Sequence, residues 1–119
     1  MTQSPKYPPL SEVLLAFGKP YLMRNLPDDS KQSLEAVIPL LVVCWNTAIT
    51  DKLEKSSKRE KWLKEKMKAY PADIRPQIKR LIKRKHQHFA DDARLIGAYH
   101  LNEKPDGSVT LACEPLLLD

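Results

Sequence analysis

An α+β fold is expected for this chain: a small single domain of about four helices, bundle-like, followed by a C-terminal antiparallel β-hairpin. Three observations predict it. Apolar residues recur at helical spacing in four segments before residue 90. After Phe89 the period shortens to two. Between the two alternating runs, "NEKPDG" (residues 102–107) places proline and glycine where a type I turn with a bulge takes them. The totals agree. A chain of 119 residues fills one modest core and not two. An apolar share of 42% beside a charged share of 29% is that of a folded, soluble domain. Only three glycines stand against ten prolines, too few for an all-β design with many tight turns.

Residues 1–9, "MTQSPKYPP", read as an extended, mobile N-terminal arm, and residues 10–119 as the domain. The arm has no apolar segment of the kind a signal peptide needs, so a cytoplasmic location is expected. The first helix opens near Ser11, a candidate cap, and buries Leu10, Val13, Leu14, Phe17 and Tyr21. Gly18 and Pro20 should kink or split it. Asp29 and Gln32 have the spacing of a capping box for a second helix running to about Thr50. That helix is apolar nearly all round from Ala36 to Trp45, which predicts the central, most buried element, bent at Pro39. The run is ten residues long where a bilayer needs about 20. No membrane contact is expected.

Ser57 and Glu60 form a further capping pair, opening a third helix to about Ala69 with Leu63, Met67 and Tyr70 on one face. "YPAD" breaks the chain, and Asp73 caps a fourth helix with Pro76 in its first turn, where a missing N–H costs little. Its stripe is Ile74, Ile78, Leu81, Ile82 and Phe89. In the hairpin, a three-residue loop Pro105–Gly107 sets Leu101 opposite Leu111 and Tyr99 opposite Cys113. Leu95, Tyr99, Leu101, Val109, Leu111 and Cys113 then share the inner face, and Ile96, His100, Thr110 and Glu114 the outer. An isolated hairpin is marginal in water, so it must pack on the helices or pair its edge with a second copy.

Charge is divided unevenly. Residues 52–88 hold fourteen Lys/Arg and four Asp/Glu, a net +10, while the rest of the chain nets −5. Such asymmetry points toward an anionic partner, although a lysine-rich helix face is also commonly just solvated. The candidate contact residues are Lys58, Arg59, Trp62 and Lys66 on the third helix, with Lys79, Arg80, Lys83 and Arg84 on the fourth. The expected arrangement is two amphipathic helices side by side, turning one positive surface outward. Trp62 lies off the apolar line of its helix. It either stacks on a base while lysines neutralise phosphates, or widens the apolar stripe. Lys85 lies under the apolar stripe and should snorkel to water.

Catalytic and metal chemistry find little support. His86 and His88 are two apart and point to different sides of a helix, without the i, i+4 spacing of a helical zinc pair. Asp91 and Asp92 read as a turn. Cys44 and Cys113 are expected as reduced structural thiols, and no glycine-rich phosphate or dinucleotide motif occurs. No cofactor, metal or catalytic residue is expected. The leading expectation is a small non-catalytic interaction or regulatory protein, with a protein partner or self-association through the hairpin edge. The first alternative is a DNA- or RNA-binding module using residues 52–88. The second is a small nuclease or hydrolase using His86, His88, Asp91 and Asp92.

Overall fold

The computed structural model describes residues 8–28, 30–66, 68, 72 and 74–116. Four helices precede one hairpin: α1 (Leu10–Asn25), α2 (Lys31–Glu54), α3 (Lys58–Lys66), α4 (Ile74–His88), β1 (Ile96–Glu103) and β2 (Val109–Pro115). The α+β single domain read from the sequence is the one observed. Most of the N-terminal arm, the Asp29 and Asp73 caps, and Met67, Ala69 and Tyr70 lie outside the described residues.

α1 buries Leu10, Val13, Leu14, Phe17 and Tyr21, one stripe at helical spacing. It begins at Leu10 behind Pro9, so Ser11 falls within the first turn and does not cap it. Neither Gly18 nor Pro20 splits the helix. Gly18 is the point of closest approach to α2: a Cβ there would stand 2.4 Å from the Leu41 side chain. Pro20 has no N–H for the carbonyl of Ala16, and a side chain of α4 supplies the missing donor. Arg84 Nη2 donates to Ala16 O at 3.0 Å, and its Nε to Phe17 O at 2.8 Å.

α2 is capped one residue later than its sequence suggests. Ser30 Oγ accepts the Ser33 N–H, and Asp28 Oδ1 accepts both the Ser30 N–H and the Ser33 hydroxyl. The helix is central but not buried all round. Val37, Ile38, Leu41, Cys44, Trp45, Ala48 and Ile49 face inward, while Ala36, Pro39 and Val43 face water. Pro39 therefore frees a carbonyl on the wet side and leaves the helix unbroken. By length and composition α2 meets the measure of a bilayer span, with an 18-residue window of mean hydropathy 1.5, of which 44% is buried inside the molecule. It carries α1, α3, α4 and β1. α1, α2 and α4 pack pairwise around Phe17, Trp45 and Phe89, whose rings meet edge to face at 5.4–6.2 Å.

The hairpin register matches its expectation: Leu101 pairs with Leu111 and Tyr99 with Cys113. Gly107 has φ +89°, the left-handed value that closes this loop, and its N–H bonds Lys104 O. One placement is corrected. A register shift between Ile96 and Ala98 inserts Gly97 as a bulge, which reverses the face upstream. Ile96 is consequently in the core and not on the outer face. Asn46 of α2 holds it there like a strand, accepting the Ile96 N–H and donating to the Ile96 carbonyl. Trp45 Nε1 donates to Arg94 O beside it. β1 rests on α2 and β2 on α1.

Candidate interaction surface

α3 is a nine-residue helix that leaves α2 through a left-handed residue, Lys55 (φ 52°, ψ 45°). Its start is fixed from the preceding helix: buried Asp51 accepts the N–H groups of Arg59 and Glu60, each at 2.9 Å. A carboxylate at the positive end of a helix satisfies two otherwise orphaned donors. This replaces the expected Ser57–Glu60 box. Glu60 turns instead to Lys64, 2.7 Å away.

With its base fixed, α3 buries Leu63 and leaves Lys58, Arg59, Trp62 and Lys66 exposed along one strip. Trp62 is 57% exposed, with the Lys66 ammonium 5.7 Å from its ring centre. The apolar-stripe reading of Trp62 is not what the structure has, because Leu63 takes the inward position. None of these cations is in an ion pair among the described residues, where Lys64 is paired with Glu60 and Lys68 with Glu65. Leu53, in the last turn of α2 from which α3 departs, is 68% exposed.

On α4, Lys79, Arg80 and Lys83 are exposed. Arg84 is not with them: it is half-buried on the backbone of α1, with its guanidinium carbon 5.6 Å from the Phe89 ring centre. The single positive surface expected of two adjacent helices is also corrected. α3 and α4 each dock on α2, and contact between them is at most marginal. Lys85 does not snorkel. It is 3% exposed, donates to the carbonyls of Phe89 (2.6 Å) and Asp92 (2.7 Å), and lies 4.4 Å from the Trp45 ring centre. Burial holds its amine down to about 8.

The histidines and aspartates at the end of α4 diverge. His88 and Asp91 border a cleft of about 510 Å³ beside the start of α1, with Glu12 on its far side. His86 borders another, of about 310 Å³, against the end of α2. Asp92 is buried and committed to Arg94, which reaches its Oδ2 at 2.6 Å and its Oδ1 at 2.9 Å. Burial by itself would raise the Asp92 carboxyl, yet the Arg94 bonds and the Arg94 and Lys85 charges hold it below the ordinary range. Among the described residues no three His, Cys, Asp or Glu side chains are placed to share a metal ion. Burial and the nearby Glu60 charge push the Cys44 thiol up to about 12, and burial raises Cys113 as well. Neither is poised as a nucleophile at neutral pH.

Sequence reasoning did not single out Arg24, which with Arg80 and Arg84 borders a cleft between α1 and α4. Its position one helical turn after Pro20 was the available signal. Compared with protein-family models, curated proteins and solved structures, the chain matches none.

Proposed function

We propose that this is a small non-catalytic interaction protein whose contact surface is the exposed strip of α3, and that its partner is a protein with an acidic face. The observation that carries the reading is Trp62: a large aromatic side chain left in water, one helical turn from Lys58, Arg59 and Lys66, which are in no ion pair among the described residues. Tryptophan and arginine dominate the binding energy of protein interfaces, because they bury much surface and lose little conformational freedom. Leu53 at the root of the helix extends the apolar part of such a contact. Asp51 supports it by holding α3 in a fixed attitude before any partner arrives. The hairpin edge is a second place for self-association.

Nucleic acid is the second reading, and the same tryptophan favours it: an exposed ring among cations stacks on any base. The two are separated in one experiment. Tagged protein is incubated with a native extract, with and without nuclease, and the retained material is compared for wild type and Trp62→Ala. A discrete protein retained after nuclease treatment and lost in the variant supports the first reading. Retention abolished by nuclease supports the second, since the retained material is then held through nucleic acid. Equal retention by both proteins removes α3 from either reading.

A further inference from the structure

Beside β1 runs a cleft of about 490 Å³, walled on one side by Lys31 and Glu35 of α2 and on the other by Tyr99, His100, Leu101 and Asn102. Helix and strand lie alongside each other, because Asn46 of α2 meets Ile96 at the far end of the same strand. The lengths agree: from Lys31 to Asn46 the helix rises about 22 Å, and from Ile96 to Asn102 the strand advances about 20 Å. The register shows which main-chain groups lie on the outer edge of β1. The Lys104 N–H donates to Ser108 O at 2.8 Å, so these two residues form a bonded pair. Bonded and non-bonded pairs alternate along an antiparallel ladder, so Asn102 with Thr110 and His100 with Ala112 are the next bonded pairs. Tyr99 and Leu101 therefore turn their N–H and C=O away from β2. On that side neither has a hydrogen-bond partner among the described residues. The bulge at Gly97 shifts the alternation by one residue and turns Ile96 outward as well. There the Asn46 side chain accepts the N–H and donates to the carbonyl, the two bonds that a neighbouring strand would make.

We propose that the cleft receives an extended peptide segment of a partner protein, which pairs with β1 as a third strand and continues the edge that Asn46 begins. In this mode main-chain bonds supply affinity and alternate side chains supply specificity. Tyr99 packs on the core, while Leu101 is half-buried without belonging to it, so the position beside Leu101 suits an aliphatic side chain. His100 and Asn102 are exposed and suit polar neighbours. Lys31 and Glu35 face each other at 3.9 Å, so the helical wall favours neither sign of charge. The ligand class is a peptide that alternates apolar and polar residues. Trp62 does not line the cleft, so this site stands or falls separately from the α3 surface.

Selection of a phage-displayed library of random peptides, roughly ten residues long to match a full strand, on the full chain tests the proposal. Synthetic copies of the enriched peptides are titrated against wild type and variants, and amide exchange is followed. Enriched peptides should show the alternation and should slow exchange of the Tyr99 and Leu101 amides at least tenfold. Leu101→Pro removes an outward N–H, a place where edge strands accept proline, and should weaken binding at least tenfold. Leu101→Ala keeps that N–H and should weaken it less than threefold. If Leu101→Pro lowers the melting temperature, the exchange measurement on wild type decides. No enriched peptide, or binding that leaves the Tyr99 and Leu101 amides unprotected, overturns the proposal. Binding lost in Trp62→Ala but kept in Leu101→Pro also overturns it, and leaves the α3 reading standing. Protection of those amides in the free chain, growing with protein concentration, overturns it in favour of a second copy.

Discussion

A lysine on the apolar side of an amphipathic helix ordinarily bends its stem outward until the ammonium reaches water. Lys85 does otherwise because the chain turns sharply after α4 and brings two carbonyl oxygens, of Phe89 and Asp92, onto its ammonium. Lys85→Met should therefore cost about 2 kcal/mol, measured by urea denaturation, since the inward Asp92 carbonyl loses the ammonium donor and the Phe89 carbonyl keeps only the Asp92 N–H. The sign of its pH dependence follows from burial. The folded amine titrates at about 8 against an ordinary 10.5, so the folded state gives up its proton first. Stability of the wild type relative to Lys85→Met should then rise from about pH 8 to 10.5 and stay level below. A relative stability that falls over that interval contradicts the burial of the charge. Lys55 carries strain of another kind. A side chain at φ 52° is disfavoured, and Lys55→Gly should stabilise the protein by about 0.5–1 kcal/mol. A melting temperature lowered by that substitution would show that Lys55 makes a contact worth more than the strain.

Elements here are joined by single polar side chains reaching across from a neighbour. Asp51 starts α3, Arg84 mends the proline gap in α1, and Asn46 starts β1. Asp51→Ala should cost about 1–2 kcal/mol. It should also loosen α3 selectively, read as faster amide exchange of Lys61 to Lys66 with α2 unaffected. Uniform acceleration through α2 would mean that α3 is not capped as described. At the start of α2, the Ser30 and Ser33 hydrogen bonds hold the Asp28 carboxyl at about 2. Its contribution is present above pH 3.8 and is lost as pH falls toward 2. Asp28→Asn should flatten that part of the acid unfolding curve. These links mark the limit of what the sequence discloses. The four helices, the buried stripes of α1 and α4 and the hairpin register were legible, because periodicity and turn chemistry are local. The donor for the Ala16 carbonyl was not, since Pro20 announces a need for one without saying which residue meets it. The bulge at Gly97 was missed for a related reason: alternation is read by counting, and one inserted residue leaves composition untouched.

For the molecule as a whole, α2 is the mast on which everything else is set. Gly18 lets α1 close on it, and Gly18→Ala, by forcing a Cβ against Leu41, should cost about 1–3 kcal/mol without changing the fold. The net charge of residues 52–88 suggested two helices packed side by side, but α3 and α4 each dock on α2 and barely touch one another. Which helices touch is decided by tertiary packing, and no pattern within either helix reports it. The strip around Trp62 is the exposed part of α3 on which the proposed contact rests. The most direct test is the comparison of wild type and Trp62→Ala for retention of a partner from nuclease-treated extract, with both proteins shown by circular dichroism and melting temperature to be equally folded. A discrete acidic protein held by the wild type and released by Trp62→Ala is the predicted result; undiminished retention by Trp62→Ala would contradict the proposal that α3 is the contact surface.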